Sequence, residues 1–486
     1  MEHASPRERG LSLPTKILLG LILGAALGVT LNLLYAPELG APKSATYVGI
    51  EWWADRIVKP VGDVFLRLLF MVVVPVVFCS LFLGVAGLGS VQKLGNLGAR
   101  TLGWFLGTTA LAASLGILLV ATIQPAKQID PASADRVKAQ YLGQAQEKIV
   151  QGKGASASLS ADDVLRLVAG LPAERPLDAA SLKAAKTTYL RETEKALEGQ
   201  SKSWVEMLVE IVPDNVVGAA ADNKKLLGLI FFALILGAAS TRLPPDRTRV
   251  LREVLETIYE LAVKVLGWAM HLAPLGVACL IFHSTAKLGI DVMRLVGWYF
   301  ATAMGGLVVY QVVVVTGLAW VFAGLSPGRF YRGCRTLILT AFSTSSSNAT
   351  MPTTIRTAVD EFGAPKEVAG FVMPLGATMN MNGTALFEGV SVLFLAQAAG
   401  IDLSIGQQVT VVGLAVLTAI GAAGVPGGSL PLLAIVLTQV GVPPEMLALI
   451  LGVDRLVDMT RTIPNVTSDL VCSLWLARRE GHLLKA

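Results

Sequence analysis

Apolar residues in this chain fall in long blocks separated by short polar breaks, and the block lengths predict the elements. Runs at 17–35, 61–88 and 102–123 each reach the roughly 20 residues that an α-helix needs to cross a hydrocarbon core. The stretch 204–239 is apolar but interrupted at Pro213-Asp214-Asn215 and at Asp222-Asn223-Lys224-Lys225, so it predicts a bent pair of segments. Runs at 255–282, kinked at Pro274, and at 296–322 predict two more spans. Beyond Arg329 the pattern changes. Residues 336–357 are two short apolar pieces around the hydroxyl-rich break from Ser343 to Pro352, and neither piece can cross alone, which predicts a re-entrant hairpin. A span at 368–399 is interrupted by Asn380-Met381-Asn382-Gly383-Thr384, and 407–440 is interrupted by a Gly/Ala/Pro-rich break at 421–429.

The last apolar run, 446–476, carries polar residues at helical spacing. At roughly 100° per residue, Asp454, Asp458, Arg461, Asn465 and Asp469 share an arc of about 80°, opposite Leu456, Ile463 and Val466. Asp458, Arg461 and Asp469 in a bilayer cost about 3 kcal/mol each, roughly 9 kcal/mol together. Such a stripe persists only where it faces partners, water or a ligand. Two readings follow from the residues alone: a buried structural ion-pair network, or a binding site for a charged solute and its co-ions.

Composition supports a membrane protein. The 486 residues are 53% hydrophobic and only 15% charged, where a soluble domain carries about a quarter charged. Mean hydropathy is +0.62. The 48 glycines suit close helix packing and broken helices. A net charge of +5 reflects cytoplasmic loops rather than nucleic-acid binding. Arg7, Arg9 and Lys16 precede the first span, which is too long and lacks the cleavage site of a signal peptide, so the N-terminus is expected in the cytoplasm. Lys93 and Arg100, then Arg242, Arg247, Arg249 and Arg252, mark further cytoplasmic connections. Residues 125–203, rich in Lys, Glu, Asp, Gln, Ser and Ala, then lie on the opposite face as a polar insert with no assigned chemistry.

Enzyme chemistry finds little support. Cys79, Cys279, Cys334 and Cys472 are scattered without metal-ligand spacing and read as packing residues. His271 and His283 are twelve residues apart and read as helix-end or interface histidines. No Gly-x-Ser-x-Gly accompanies the Ser345–Ser347 run.

An internal repeat emerges. A Pro-containing hairpin tip precedes a polar mid-span segment twice, Pro352 before Asn380 and Pro426 before Asp458. Hairpins entering from opposite sides give inverted repeats with broken helices meeting at mid-depth, an arrangement of secondary transporters. The predicted fold is an all-α polytopic membrane protein with eight transmembrane helices and two re-entrant hairpins. Its parts are a cytoplasmic N-terminus (1–16), helices 1–3 (17–124), the insert (125–203), helices 4–6 (204–325), hairpin 1 (330–360), helix 7 (366–400), hairpin 2 (405–440) and helix 8 (443–478).

The Ser-rich tip, the Asn-Met-Asn-Gly-Thr span, the Gly-Val-Pro-Gly tip and the final Asp-Met-Thr-Arg-Thr…Asn-Val-Thr…Asp helix resemble the dicarboxylate/amino acid:cation symporter family, which includes glutamate and aspartate transporters. The resemblance extends over nearly the whole chain apart from the insert. It implies an inner-membrane homotrimer that carries an acidic amino acid with cations by alternating access and has no resident cofactor. Arg461 would pair with the substrate's side-chain carboxylate, its planar fork suiting bidentate recognition. Asp458 would hold the amino group. Asn465, Thr384, Thr462, Ser345, Ser347, Ser429 and the backbone near Val425 would complete the pocket. The charge pair favours aspartate or glutamate over C4-dicarboxylates and, more so, over neutral amino acids.

For the co-transported ions, the resemblance implies one Na+ site at Asn380, Asn465, Asp469 and the Gly376 carbonyl, and a second at Thr378, Met381, Ala419 and Ala422. A third would use Thr108, Thr109 and an aspartate for which this chain has Asn382, while Phe105 replaces a tyrosine. Losing that carboxylate puts the third site in question. Glu388 stands where proton-coupled relatives carry a protonatable glutamate, so coupling to Na+, H+ or both is expected; the alternative for Glu388 is a side chain facing water or a partner. Neither Ser345 nor Met459 supplies the family's accessory arginine, and Pro464 is expected to kink or loosen the last helix.

Overall fold

The computed structural model describes residues 13–36, 44–87, 96–128, 212–221, 226–421, 424, 426–482 and 484. Residues 1–12, Lys93, Asp222 to Lys225, Ala422, Val425 and nearly all of the insert lie outside them. The described elements are all helical. Among the described residues, five stretches are long and apolar enough to cross a membrane: Thr15–Tyr35, Ala45–Ala86, Leu97–Lys127, Pro245–Lys287 and Ile290–Ala323. The chain is a multi-pass membrane protein.

The first helical group is drawn together by small residues. Helix α1 (Leu13–Tyr35) lies along α6 (Pro245–Leu288). A Cβ at Gly20, Gly24 or Gly28 would run into the backbone carbonyl of Pro274, Ala278 or Phe282 in turn. Glycine every fourth residue lets the two backbones approach where lipid gives no hydrophobic drive between helices. Packed with them are α2 (Lys59–Met71), α3 (Val73–Gly87) and α5 (Leu226–Ser240).

The helical path containing the predicted 61–88 span begins earlier, at Ala45, and breaks at Val72. Pro75 cannot donate to the carbonyl four residues back, which loosens the turn there. The predicted 255–282 span belongs to one 44-residue helix that passes Pro274 and stops where Gly289 adopts a φ of 68°. Its N-terminal turns carry the basic residues Arg247, Arg249 and Arg252 beyond the apolar part.

The second group surrounds the C-terminal helix. Helices α4 (Asn96–Ile123) and α7 (Ile290–Val309) are followed by two helix–break–helix units. The first is α8 (Pro327–Thr344) with α9 (Ser347–Arg356), reversed at Ser345, which takes a φ of 50°. Next, α10 (Lys366–Met379) and α11 (Asn382–Ala399) are separated by the non-helical Asn380 and Met381. The second unit pairs α12 (Ile405–Gly421) with α13 (Leu430–Gln439). Helix α14 (Leu451–Arg479) runs through Pro464 without a break in its helical assignment and packs on α8, α9, α10 and α11. Helix α11 is buried along almost its whole length. It approaches α4 closely at two reciprocal points, Gly116 beside the Leu386 carbonyl and Gly389 beside the Ala113 carbonyl.

Candidate functional site

Three helix breaks converge on the polar face of α14. At the tips of the two helix–break–helix units, Ser346 Oγ donates to the Gly424 carbonyl at 2.5 Å and the Asn348 amide donates to the same oxygen at 3.2 Å. Between α10 and α11, the freed Gly383 amide donates to Asn465 Oδ1 at 2.7 Å. A Cβ at Gly383 would sit on the Arg461 carbonyl, so only glycine lets these backbones meet. Irregular backbone at membrane depth is tolerated where it lines a site, and here it does.

The resulting pocket is tightly closed, a cavity of about 10 Å³. Asp458, Arg461, Thr462 and Asn465 line it from α14, Ser345 and Ser347 from the first tip, Gly424 and Ser429 from the second, and Met381 and Thr384 from the break before α11. Every substrate-site residue expected from the sequence is therefore in one place, except Val425, which lies outside the described residues.

Charge within the pocket is locally paired. Asp458 and Arg461 are each 3% exposed. Arg461 Nε and Nη2 both donate to Asp458 Oδ1, at 3.0 and 2.6 Å, and its guanidinium lies 4.4 Å from the Phe387 ring centroid. Asp458 Oδ2 accepts from the Gly427 amide at 3.1 Å and from Arg455 Nη1 at 3.2 Å. Among the described residues, Arg461 Nη1, Ser345 Oγ and Ser429 Oγ are buried without a hydrogen-bond partner. Buried groups of this kind can bond a polar guest. Thr462 Oγ1 instead bonds the Asp458 carbonyl at 2.9 Å, and Thr384 Oγ1 lies 4.0 Å from Met381 Sδ.

Behind the pocket, Asn380 Nδ2 donates to Asp469 Oδ1 at 2.8 Å and to Ser468 Oγ at 3.2 Å. Gly376 abuts the Asp469 carboxylate closely enough that a Cβ would overlap it. Asn465 Nδ2 points at Met381 Sδ, 3.4 Å away. Asn380 and Gly376 of the expected first cation set thus meet the Asp469 carboxylate, while the amide oxygens of Asn380 and Asn465 accept from Thr108 Oγ1 and from the Gly383 amide. The second set is less complete: Ala422 lies outside the described residues, Ala419 is buried, and Thr378 Oγ1 turns back to the Leu375 carbonyl at 3.1 Å.

At the third set, Thr109 donates to Asn382 Oδ1 at 2.9 Å and Thr108 to Asn380 Oδ1 at 3.2 Å. This cluster has hydroxyls and amides but no carboxylate. Glu388 is wholly buried. It therefore faces a partner rather than bulk water: Oε2 accepts from Thr418 Oγ1 at 2.7 Å, and Oε1 has no hydrogen-bond partner among the described residues.

Sequence reasoning missed Arg455, Gly427, Phe387 and Thr418. Arg455 lies about 100° from Asp454 around the helix, outside the arc of the stripe, but its long side chain reaches back to Asp458. An Arg three residues before an Asp was the available signal. The other three act through a backbone amide, a ring face and a hydroxyl on other elements, which no spacing in α14 encodes.

A family model described as the sodium:dicarboxylate symporter family matches residues 13–479. The chain is 32% identical over 473 residues to the proton/sodium-glutamate symport protein of Bacillus subtilis (strain 168), covering 96% of this chain and 93% of that protein. It is 30% identical over 472 residues to the proton/glutamate-aspartate symporter of Escherichia coli (strain K12), with the same coverages of 96% and 93%. Over 418 residues it is 32% identical to excitatory amino acid transporter 3 of Oryctolagus cuniculus, covering 84% of this chain and 76% of that one. With broken helices, touching tips and a buried Asp–Arg pair in a single pocket, the chain belongs to the sodium:dicarboxylate symporter family.

Proposed function

We propose that the protein imports aspartate or glutamate together with Na+, H+ or both, by alternating access. The observation that carries this reading is the buried Asp458–Arg461 pair, which offers one fixed anion and one fixed cation inside a pocket of hydroxyls. An acidic amino acid answers each: its second carboxylate takes the guanidinium and its ammonium takes the carboxylate, while tip hydroxyls and amides receive the α-carboxylate. The names of the relatives support the same substrate class. Arg461 weighs against a neutral amino acid exchanger, which would leave a guanidinium without its carboxylate.

Na+ binds through Asp469, Asn465, Asn380 and the Gly376 carbonyl, with a second site at Thr378, Met381, Ala419 and Ala422. Glu388 carries the proton. Cation and substrate together neutralise Asp469, Asp458 and Arg461 before movement, since carrying bare charge past lipid is costly. The α12–α13 unit closes over the pocket, and the group around α14 then moves against the group containing α1 and α6. The architecture is eight spans and two re-entrant hairpins, with an extracytoplasmic insert, in an inner-membrane homotrimer joined through the early spans.

Uptake of radiolabelled L-aspartate and L-glutamate into proteoliposomes, with Na+ and H+ gradients imposed separately, tests this. Accumulation that collapses with the gradient is expected. Uptake of succinate but of no acidic amino acid would overturn the substrate reading.

A further inference from the structure

The two guanidiniums on Asp458 are held very differently. Arg461 makes two hydrogen bonds to Oδ1 and packs on Phe387, which anchors it. Arg455 makes one longer bond to Oδ2, and its Nε is buried without a partner. Gly427, on the second tip, donates to the same Oδ2. Arg455 therefore sits as a loosely held cation on the oxygen of Asp458 that Arg461 leaves open.

This has a consequence for selectivity. When a substrate carboxylate draws on Arg461, Asp458 loses part of its compensation. An acidic amino acid restores it with its ammonium. A C4-dicarboxylate has no ammonium and, without Arg455, would leave a buried carboxylate beside its own negative charge. With Arg455 in place, Asp458 keeps a counter-cation whichever substrate arrives.

Resting on the acidic-substrate reading above, we infer that Arg455 is a specificity-determining residue: it relaxes the site's demand for an amino group, so that C4-dicarboxylates bind alongside aspartate and glutamate. Arg455 and a substrate ammonium compete for Asp458 Oδ2. Removing Arg455 tightens amino acid binding and weakens dicarboxylate binding.

The test uses full-length protein in proteoliposomes, with labelled L-aspartate and labelled succinate in parallel, for wild type, Arg455→Met, Arg455→Gln and Arg455→Lys. In wild type, succinate is expected to inhibit aspartate uptake with an inhibition constant within about 100-fold of that of unlabelled aspartate, a gap of roughly one charge-assisted hydrogen bond. In Arg455→Met and Arg455→Gln the succinate-to-aspartate ratio of inhibition constants rises about tenfold or more, the scale of one such bond. Arg455→Lys keeps the wild-type ratio. A merely structural role would lower uptake in the variants and leave the ratio unmoved, and that result overturns the inference. Absence of succinate competition in wild type overturns it as well, even if no variant inserts correctly. If wild type carries succinate but neither amino acid, the acidic amino acid reading falls; a loss of succinate uptake in Arg455→Met that Arg455→Lys restores then still supports the role of Arg455, and retention in Arg455→Met refutes it.

Discussion

Asp458 and Arg461 meet one helical turn apart, with Asp458 Oδ1 accepting from Nε at 3.0 Å and from Nη2 at 2.6 Å. Both side chains are almost fully buried, so each is the condition for the other's charge in the empty pocket. On the proposed reading, substrate binding exchanges this internal pair for two intermolecular ones.

Breaking the pair is therefore asymmetric in its effects. Arg461→Met leaves Asp458 with the Gly427 amide and the more weakly bonded Arg455, and breaking a buried pair costs about 3–5 kcal/mol. Uptake of aspartate and glutamate is expected to be lost and thermal stability in detergent to fall. Asp458→Asn retains an acceptor for Arg461 but no charge for the ammonium, and apparent affinity for aspartate is expected to drop about 100-fold or more, the scale of a lost charged hydrogen bond. Uptake kinetics and a melting curve on each variant check both.

Glu388 tests proton coupling. Glu388→Gln keeps an acceptor for Thr418 Oγ1 and cannot exchange a proton. Wild-type uptake is expected to rise when the outside is acidified at constant Na+, and the variant's uptake to be flat across the same pH range. Unchanged pH dependence in the variant would remove Glu388 from the coupling mechanism.

The cluster of Thr108, Thr109, Asn380 and Asn382 tests cation number. Asn382→Asp places a carboxylate among hydroxyl and amide oxygens, the donor set of a hard-cation site. Uptake against Na+ concentration is expected to become more sigmoidal, with lower activity at low Na+ because the new charge is uncompensated there. An unaltered Na+ curve would mean that the cluster cannot admit a cation.

Gly383→Ala tests the close approach behind the pocket. The added methyl meets the Arg461 carbonyl, and overpacking of this kind costs about 1–3 kcal/mol. A lowered melting temperature and reduced uptake are expected, with no change in the ratio between aspartate and glutamate.

The sequence by itself determined the membrane class and the outline of the site. Hydrophobic block length is a local property, and the cost of burying Asp458, Arg461 and Asp469 is large enough to mark, from spacing alone, a face that needs partners, water or a ligand. The breaks at Asn380 and at Ser345–Ser346 were legible because glycines, prolines and hydroxyl-rich stretches interrupt apolar runs. Residue identities within the motifs carried the resemblance.

Tertiary structure alone decided which distant atoms complete each group. Gly427 and Arg455 share one oxygen of Asp458, Phe387 lies under Arg461, and Thr418 supports Glu388. A proline at 464 within a helical run reads locally as a kink, yet the helix continues through it, with α8, α9, α10, α11 and further helices packed around α14. Periodicity encodes which face of one helix is polar. It does not encode which amide, ring or guanidinium from another turn or another element arrives at that face, because those contacts depend on how the helices pack.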